Sequence, residues 1–217
     1  MKSKPVPQKV FLLILYGYPG CGKTTFSEKL AKQLQNTVHL YTDKITRELS
    51  QVTGGNFELA NNVISYMTEN YLENGLSVIV DAPVIKSTDR RTMRNIAIKH
   101  KAVPILVWMQ MDPESAFHRL KLQAKNKKNK FSRAYTRTEF DEIVNSMQNP
   151  KNEDFVVVSG KHTYKSQSVA VLNKMVESKI LSRDQIAKNF AKPELTNIIP
   201  QPTLGGRGVF RRNISVR

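Results

Sequence analysis

Val10-Phe-Leu-Leu-Ile-Leu-Tyr16 runs directly into Gly17-Tyr-Pro-Gly-Cys-Gly22-Lys23-Thr24-Thr25, and this stretch decides the architecture. The first part is apolar and uncharged, the composition of a strand buried on both faces of a parallel sheet. The glycines that follow suit a loop that wraps an anion with inward-pointing backbone N–H groups. Only residues without a side chain leave that room and take the dihedrals required. From Lys23 to Leu34 the apolar positions Phe26, Leu30 and Leu34 recur every four residues, the stripe of a helix packed on the sheet. Its N-terminus adds the positive end of the helix dipole at the same spot. Strand, loop and helix together satisfy G-x-x-x-x-G-K-[ST] in the context that gives the spacing its meaning. The plainer reading, a glycine turn that binds nothing, leaves Lys23 and Thr24 unexplained.

The motif assigns roles to its residues. Gly17, Gly20, Cys21 and Gly22 form a cradle for the phosphates of a nucleotide, taken as ATP. Lys23 reaches the β and γ phosphates, the Thr24 hydroxyl ligates Mg²⁺, and Thr25 hydrogen-bonds the α phosphate. Cys21 admits two readings, a thiol activated by the helix terminus or a small side chain turned away from the phosphates. The second is preferred, because no histidine or other cysteine is near it in sequence.

The same alternation continues along the chain. Strands are expected at Val38–Tyr41, Leu76–Val80, Pro104–Met109 and Phe155–Val158, and helices at Ile45–Val52, Phe57–Leu72, Thr88–His100, Phe117–Lys125, Arg137–Met147 and Gln167–Lys179. Five strands interleaved with helices predict a doubly wound α/β layer. Residues 1–9 are expected to be flexible, and residues 10–190 to form the domain. Residues 191–217, rich in proline and glycine with five basic residues and one acidic, are expected to form a flexible basic tail.

Composition narrows the function classes. The single cysteine excludes an internal disulfide framework, and the four histidines lack zinc-ligand spacing. No apolar run approaches the roughly 20 residues that span a bilayer, and no secretory signal core is present, so no membrane role is expected and the chain is placed in the cytoplasm. Lys plus Arg at 34 against Asp plus Glu at 18 gives a net charge of +16, a field that attracts polyanions. Between Glu114 and Glu139 there are eight basic residues and no acidic one.

Beyond the loop, the order of motifs resembles the P-loop kinases of the polynucleotide 5′-kinase and zeta-toxin type. The resemblance covers about residues 10–180 and implies a three-layer P-loop NTPase fold with a parallel five-stranded sheet and a helical lid at about 113–147. In those families the second strand ends in an acidic residue with an arginine just beyond, acting on the hydroxyl acceptor. Tyr41-Thr-Asp43-Lys-Ile-Thr-Arg47 is similar to that segment, which makes Asp43 the candidate general base. Arg47 follows at four residues, where the polynucleotide kinases use three. Asp43 also stands where it could cap the following helix. Ser77-Val-Ile-Val-Asp81 resembles the third strand, whose closing acidic residue lies near the metal, and this makes Asp81 an outer-sphere Mg²⁺ ligand. Trp108 to Leu120 resembles the passage into the lid, whose arginines stabilise charge on the transferring phosphoryl group. Arg119 matches the first of these. The next family position falls on Gln123, so Lys121, Lys125, Arg133 or Arg137 is the candidate for the second. Val158-Ser-Gly160-Lys161-His162 corresponds to a loop beside the adenine base.

Three functions compete at this point. The first is a kinase moving the ATP γ-phosphate to a hydroxyl on a polynucleotide or another phosphorylated acceptor. The second is an ATP-binding or ATP-hydrolysing regulatory or nucleic-acid-binding protein without an organic acceptor. The third is a kinase for a sugar or nucleotide-sugar. Sparse exposed aromatics argue against a single-strand stacking platform.

Overall fold

The computed structural model describes residues 4–53, 57–82, 86–126 and 134–190. Five strands, β1 (Phe11–Tyr16), β2 (Thr37–Tyr41), β3 (Ser77–Asp81), β4 (Val103–Gln110) and β5 (Phe155–Ser159), pair in parallel in the order β2-β3-β1-β4-β5. Among the described residues eight helices accompany them: α1 (Lys23–Gln33), α2 (Thr42–Thr53), α3 (Phe57–Glu73), α4 (Ser87–Lys99), α5 (Pro113–Asn126), α6 (Arg137–Ser146), α7 (Tyr164–Glu177) and α8 (Arg183–Asn189). None of the described helices is long and apolar enough to cross a membrane.

β1 is central and wholly buried, which is why its sequence is a continuous apolar run rather than an alternating one. Phe11, Leu13 and Leu15 face one layer, where they meet Phe26 and Leu30 of α1, Phe140 of α6 and Val171 and Met175 of α7. Leu12 and Ile14 face the other, against Ile64 of α3 and Met93 and Ile96 of α4. Two cores therefore share one sheet. α1 leaves β1 toward one face and α4 leaves the neighbouring β3 toward the other, so a crevice opens between the carboxyl ends of these strands.

The helices start earlier than their apolar stripes suggest. α2 begins at Thr42 rather than Ile45, α5 at Pro113 rather than Phe117, and α7 at Tyr164 rather than Gln167. The first turn of each is polar, and a hydrophobic stripe registers only the turns that reach the core. Caps mark the true starts: Asp112 Oδ1 accepts from Ser115 N at 2.8 Å and Thr163 Oγ1 from Ser166 N at 3.5 Å. No apolar stripe announces α8. Its Ser182-x-x-Gln185 pair forms a reciprocal capping box, with Gln185 N donating to Ser182 Oγ at 3.2 Å and Ser182 N to Gln185 Oε1 at 2.9 Å.

The N-terminal arm, expected to be flexible over residues 1–9, is tied down from Pro5 onward. Pro5 O accepts from Gln35 N at 3.0 Å, Gln8 N donates to Ile180 O at 2.8 Å, and Val6 O accepts from Gln185 Nε2 at 2.9 Å. The expected tail, 191–217, and the middle of the lid, 127–133, lie outside the described residues.

Candidate functional site

The glycine loop between β1 and α1 has the geometry of an anion cradle. Gly20 takes φ +84°, and a Cβ there would stand 2.3 Å from Ala116 O of α5; a Cβ on Gly17 would stand 2.6 Å from Met109 O of β4. The backbone is thus wedged between neighbours that leave no room for side chains. α1 begins at Lys23, aiming its N-terminal dipole end at the loop. The Lys23 ammonium folds over the first turn, donating to Gly17 O at 2.9 Å and Tyr18 O at 3.0 Å. Cys21 is fully buried, and burial pushes its thiol pKa up, so the side chain is inert packing beneath the loop.

Three strand ends meet this loop. Tyr41 of β2 lies in register with Asp81 of β3, so Asp43, two residues on, arrives beside the same crevice. The Thr24 hydroxyl donates to Asp81 Oδ2 at 2.5 Å, and the Thr42 hydroxyl donates to Asp81 O at 2.6 Å. One acidic residue is thereby held by both the first turn of α1 and the first turn of α2. The resulting cleft, of about 370 Å³, is lined by Gly17, Gly20, Gly22, Lys23, Thr24 and Thr25, by Asp43 and Asp81, and on the lid side by Leu120, Gln123, Tyr135 and Ile143. Hydroxyl plus carboxylate is an all-oxygen donor set, and two protein ligands suit Mg²⁺, which keeps waters and substrate phosphates for the rest of its shell. Among the described residues no group of three or more His, Cys, Asp or Glu could hold a metal ion by itself.

None of the described arginines singled out in the sequence lines this cleft. Arg119 Nη1 donates to Gly160 O at 2.8 Å, joining the start of the lid to the loop after β5. Gly160 itself presses on the cradle, since a Cβ there would be 2.6 Å from Cys21 O. Arg137 pairs bidentately with Glu114, at 2.6 and 2.9 Å, and with Asp141 at 2.8 Å, which bridges α5 and α6 and holds the Glu114 carboxyl low. Arg47 is exposed on α2, and Arg133 lies outside the described residues.

Sequence reasoning missed Thr42, Glu28 and Gln123 as wall or anchor residues. Glu28 was within reach, since it stands one helical turn after Thr24 on α1. His39, on β2, stacks on Tyr41 with ring centroids 6.0 Å apart. Burial lowers its pKa, although Asp81 and Glu28 pull the other way.

The family model described as an AAA domain matches residues 12–150, well over half of the chain. The chain belongs to the AAA domain family. The match runs from β1 through α6 and takes in the cradle, Asp43 and Asp81. An L-seryl-tRNA(Sec) kinase of Methanococcus maripaludis is 33% identical over 90 residues, which are 40% of this chain and 35% of that relative. This AAA domain thus aligns with a minor part of that protein's length. Among solved structures, Kti12 of Chaetomium thermophilum in complex with ADP-AlF3 is similar with a TM-score of 0.62 and 15% identity, over 79% of this chain and 100% of that one. The APS kinase CysC of Mycobacterium tuberculosis, in complex with AMPPNP and APS, has a TM-score of 0.56 and 16% identity over 79% and 99%. A gluconokinase of Sinorhizobium meliloti has a TM-score of 0.57 and 13% identity over 78% and 93%. At these identities the likeness carries the fold, a P-loop kinase fold.

Proposed function

We propose that this AAA domain is an ATP-dependent phosphotransferase that moves the γ-phosphate to a hydroxyl on a polyanionic acceptor. The observation that carries this reading is that Asp43 lines the same cleft as the glycine loop, Lys23, Thr24 and Asp81. A protein that only bound nucleotide would need no second carboxylate facing the phosphate cradle. The acceptor class is supported by the net charge of +16 and by the partial likeness to a kinase whose named substrate is a tRNA.

In this reading the loop N–H groups, Lys23 and Thr25 hold the triphosphate, while the Thr24 hydroxyl and the Asp81 carboxylate hold Mg²⁺. When bound there, Mg²⁺ would offset charge that develops on the phosphates during transfer. Asp43 accepts the proton of the attacking hydroxyl. The bond from acceptor oxygen to γ-phosphorus forms as the bond from γ-phosphorus to the β,γ-bridging oxygen breaks, and ADP leaves with that electron pair. Arg119 rests on Gly160 O and Arg137 on Glu114 and Asp141, so either would have to leave that partner on lid closure to reach the transferring group.

The test is transfer of labelled phosphate from ATP to a panel of 5′-hydroxyl oligonucleotides, nucleosides, sugars and UDP-sugars. Asp43→Asn should keep nucleotide affinity and lower transfer by about 10²- to 10⁴-fold. Unchanged turnover in this variant removes Asp43 from the mechanism, and ATP hydrolysis with no acceptor labelled at all favours the regulatory alternative.

A further inference from the structure

A second hollow, of about 400 Å³, opens beside the nucleotide cleft and shares Gly17 with it. Its walls come from the carboxyl ends of β4 and β5 and from the connection between α6 and β5. The boundary between the two spaces is the first turn of the loop. Gly17 and Tyr18 both line the hollow, and their carbonyl oxygens are the ones that receive the Lys23 ammonium. A group seated in the hollow is therefore next to the residue that holds the transferable phosphate.

The lining is flat, soft and neutral. Trp108 lines one side, and its ring is held in T-shaped contacts with Tyr16 at 5.9 Å and 69° and with Phe155 at 5.7 Å and 67°. Tyr18, Met111 and Met147 also line it, the Tyr18 ring packing on Phe140 at 6.3 Å and the two methionines bringing polarizable thioethers. The charged residues at the rim cancel, since Lys161 Nζ sits 2.6 Å from Asp112 Oδ2. What remains for directed bonding is the Ser159 hydroxyl, which accepts from Lys161 N at 3.3 Å, and two side-chain amides. Asn149 Oδ1 accepts from Tyr16 Oη at 3.2 Å, and the Asn149 NH₂ and the whole Gln110 side-chain amide have no protein partner among the described residues. Burial pushes the Tyr16 hydroxyl up to about 12, so it stays a donor and fixes which way the Asn149 amide is turned.

A sugar ring calls for many hydroxyl partners, and a phosphate calls for unpaired cations; neither fits. A fixed indole face, thioethers and two amides with spare donors and acceptors fit a planar heteroaromatic ring that stacks on its face and hydrogen-bonds at its edge. The geometry points to this hollow as the seat of a nucleobase on the acceptor, presenting the attached ribose hydroxyl across Gly17 to the phosphate held by Lys23. This rests on the phosphotransferase reading for its function but not for the binding itself. Asn149 and Gln110 are then specificity residues for the base.

Trp108 is the only tryptophan in the chain and serves as the reporter. With the cleft saturated by AMPPNP and Mg²⁺, the full-length protein is titrated with the four ribonucleosides and, separately, with short 5′-hydroxyl oligoribonucleotides. Saturable quenching of Trp108 is expected from at least one of them. Gln110→Ala and Asn149→Leu should each weaken its half-saturation by about tenfold, the scale of one such contact. Gln110 is exposed, so its variant should fold even if the other does not. Quenching by free nucleosides supports a nucleoside acceptor, and quenching by oligonucleotides alone supports a polynucleotide end. No saturable quenching, or quenching unaltered in the folded variants, overturns the inference. Phosphate transfer measured in parallel separates the two readings. Quenching without transfer sinks the phosphotransferase and leaves the base site, whereas transfer to a sugar without quenching does the reverse.

Discussion

Gly20 and Gly75 both take left-handed backbone angles, φ +84° and φ +74°, yet they are under different constraints. At Gly75, just past the end of α3, a methyl would find nothing within 4 Å, so Gly75→Ala should cost only the left-handed penalty of about 1–2 kcal/mol. A methyl on Gly20 would meet Ala116 O at 2.3 Å and Leu120 Cγ at 2.9 Å, so α5 must move as well. Urea unfolding of Gly20→Ala should show the larger loss, and its Mg²⁺-ATP affinity should collapse while that of Gly75→Ala is kept. Equal behaviour of the two would mean that the cradle is not wedged against the lid helix. This constraint was readable from the sequence at Gly17 to Thr25 because the chemistry is local: spacing, side-chain absence and helix start lie within one turn. Asp43 and Asp81 were readable as strand-end acids. Thr42 was not, because its hydroxyl serves a carbonyl on a strand 39 residues away and no local pattern encodes that pairing.

Arg90 is the buried tie between α4 and the connection from α6 to β5, alongside the exposed Ser87–Gln148 pair. Arg90 lies in a basic stretch, Lys86 to Arg94, but the residue is only 2% exposed. Its Nη1 donates to Gln148 O at 2.8 Å, its Nε and Nη2 engage Glu153 at 2.6–3.2 Å, and its guanidinium stands 4.8 Å over the Tyr16 ring. Charge alone could not reveal this, since a buried and an exposed arginine look the same in a run of letters. Only the register of α4, in which Arg90 shares its buried face with Met93 and Ala97, separates Arg90 from the exposed Arg91 and Arg94. Arg90→Ala leaves Glu153 and Gln148 O without their partner and should cost about 3–5 kcal/mol in chemical denaturation. Arg90→Lys should rescue little, because one ammonium cannot reproduce the fork. Arg137, although doubly paired, is about half exposed, and Arg137→Ala should cost under about 1 kcal/mol. If the two alanine variants lose comparable stability, the pinning role of Arg90 is wrong. α8 escapes the sequence for another reason: a seven-residue helix shows too little periodicity, although its Ser182 and Gln185 already carry the capping signal.

Over the whole molecule, 34 positive and 18 negative side chains leave 34 − 18 = 16 cations without a carboxylate even if every carboxylate is paired. Several carboxylates are engaged within the fold, as in Lys99–Glu69, Lys174–Asp154 and Lys161–Asp112, so the surplus is a property of the surface as a whole. Both cores rest on β1, and the domain should therefore unfold as one unit whose midpoint reports this self-repulsion. Salt has two opposite consequences. Raising it from low to physiological strength shrinks the Debye length from about 30 Å at 0.01 M to about 8 Å. Screening relieves repulsion within the fold, and the thermal midpoint should rise. The same screening removes the attraction for a polyanionic acceptor, whose association constant should fall with a log–log slope of about −0.7 per phosphate contacted on a single strand. The measurements are a melting series and an oligonucleotide binding series across the same salt concentrations. Opposite trends are expected from a field that serves the acceptor at some cost to the fold; a binding constant indifferent to salt would mean that the surplus charge does not face the acceptor, and the polyanionic substrate class would be lost with it.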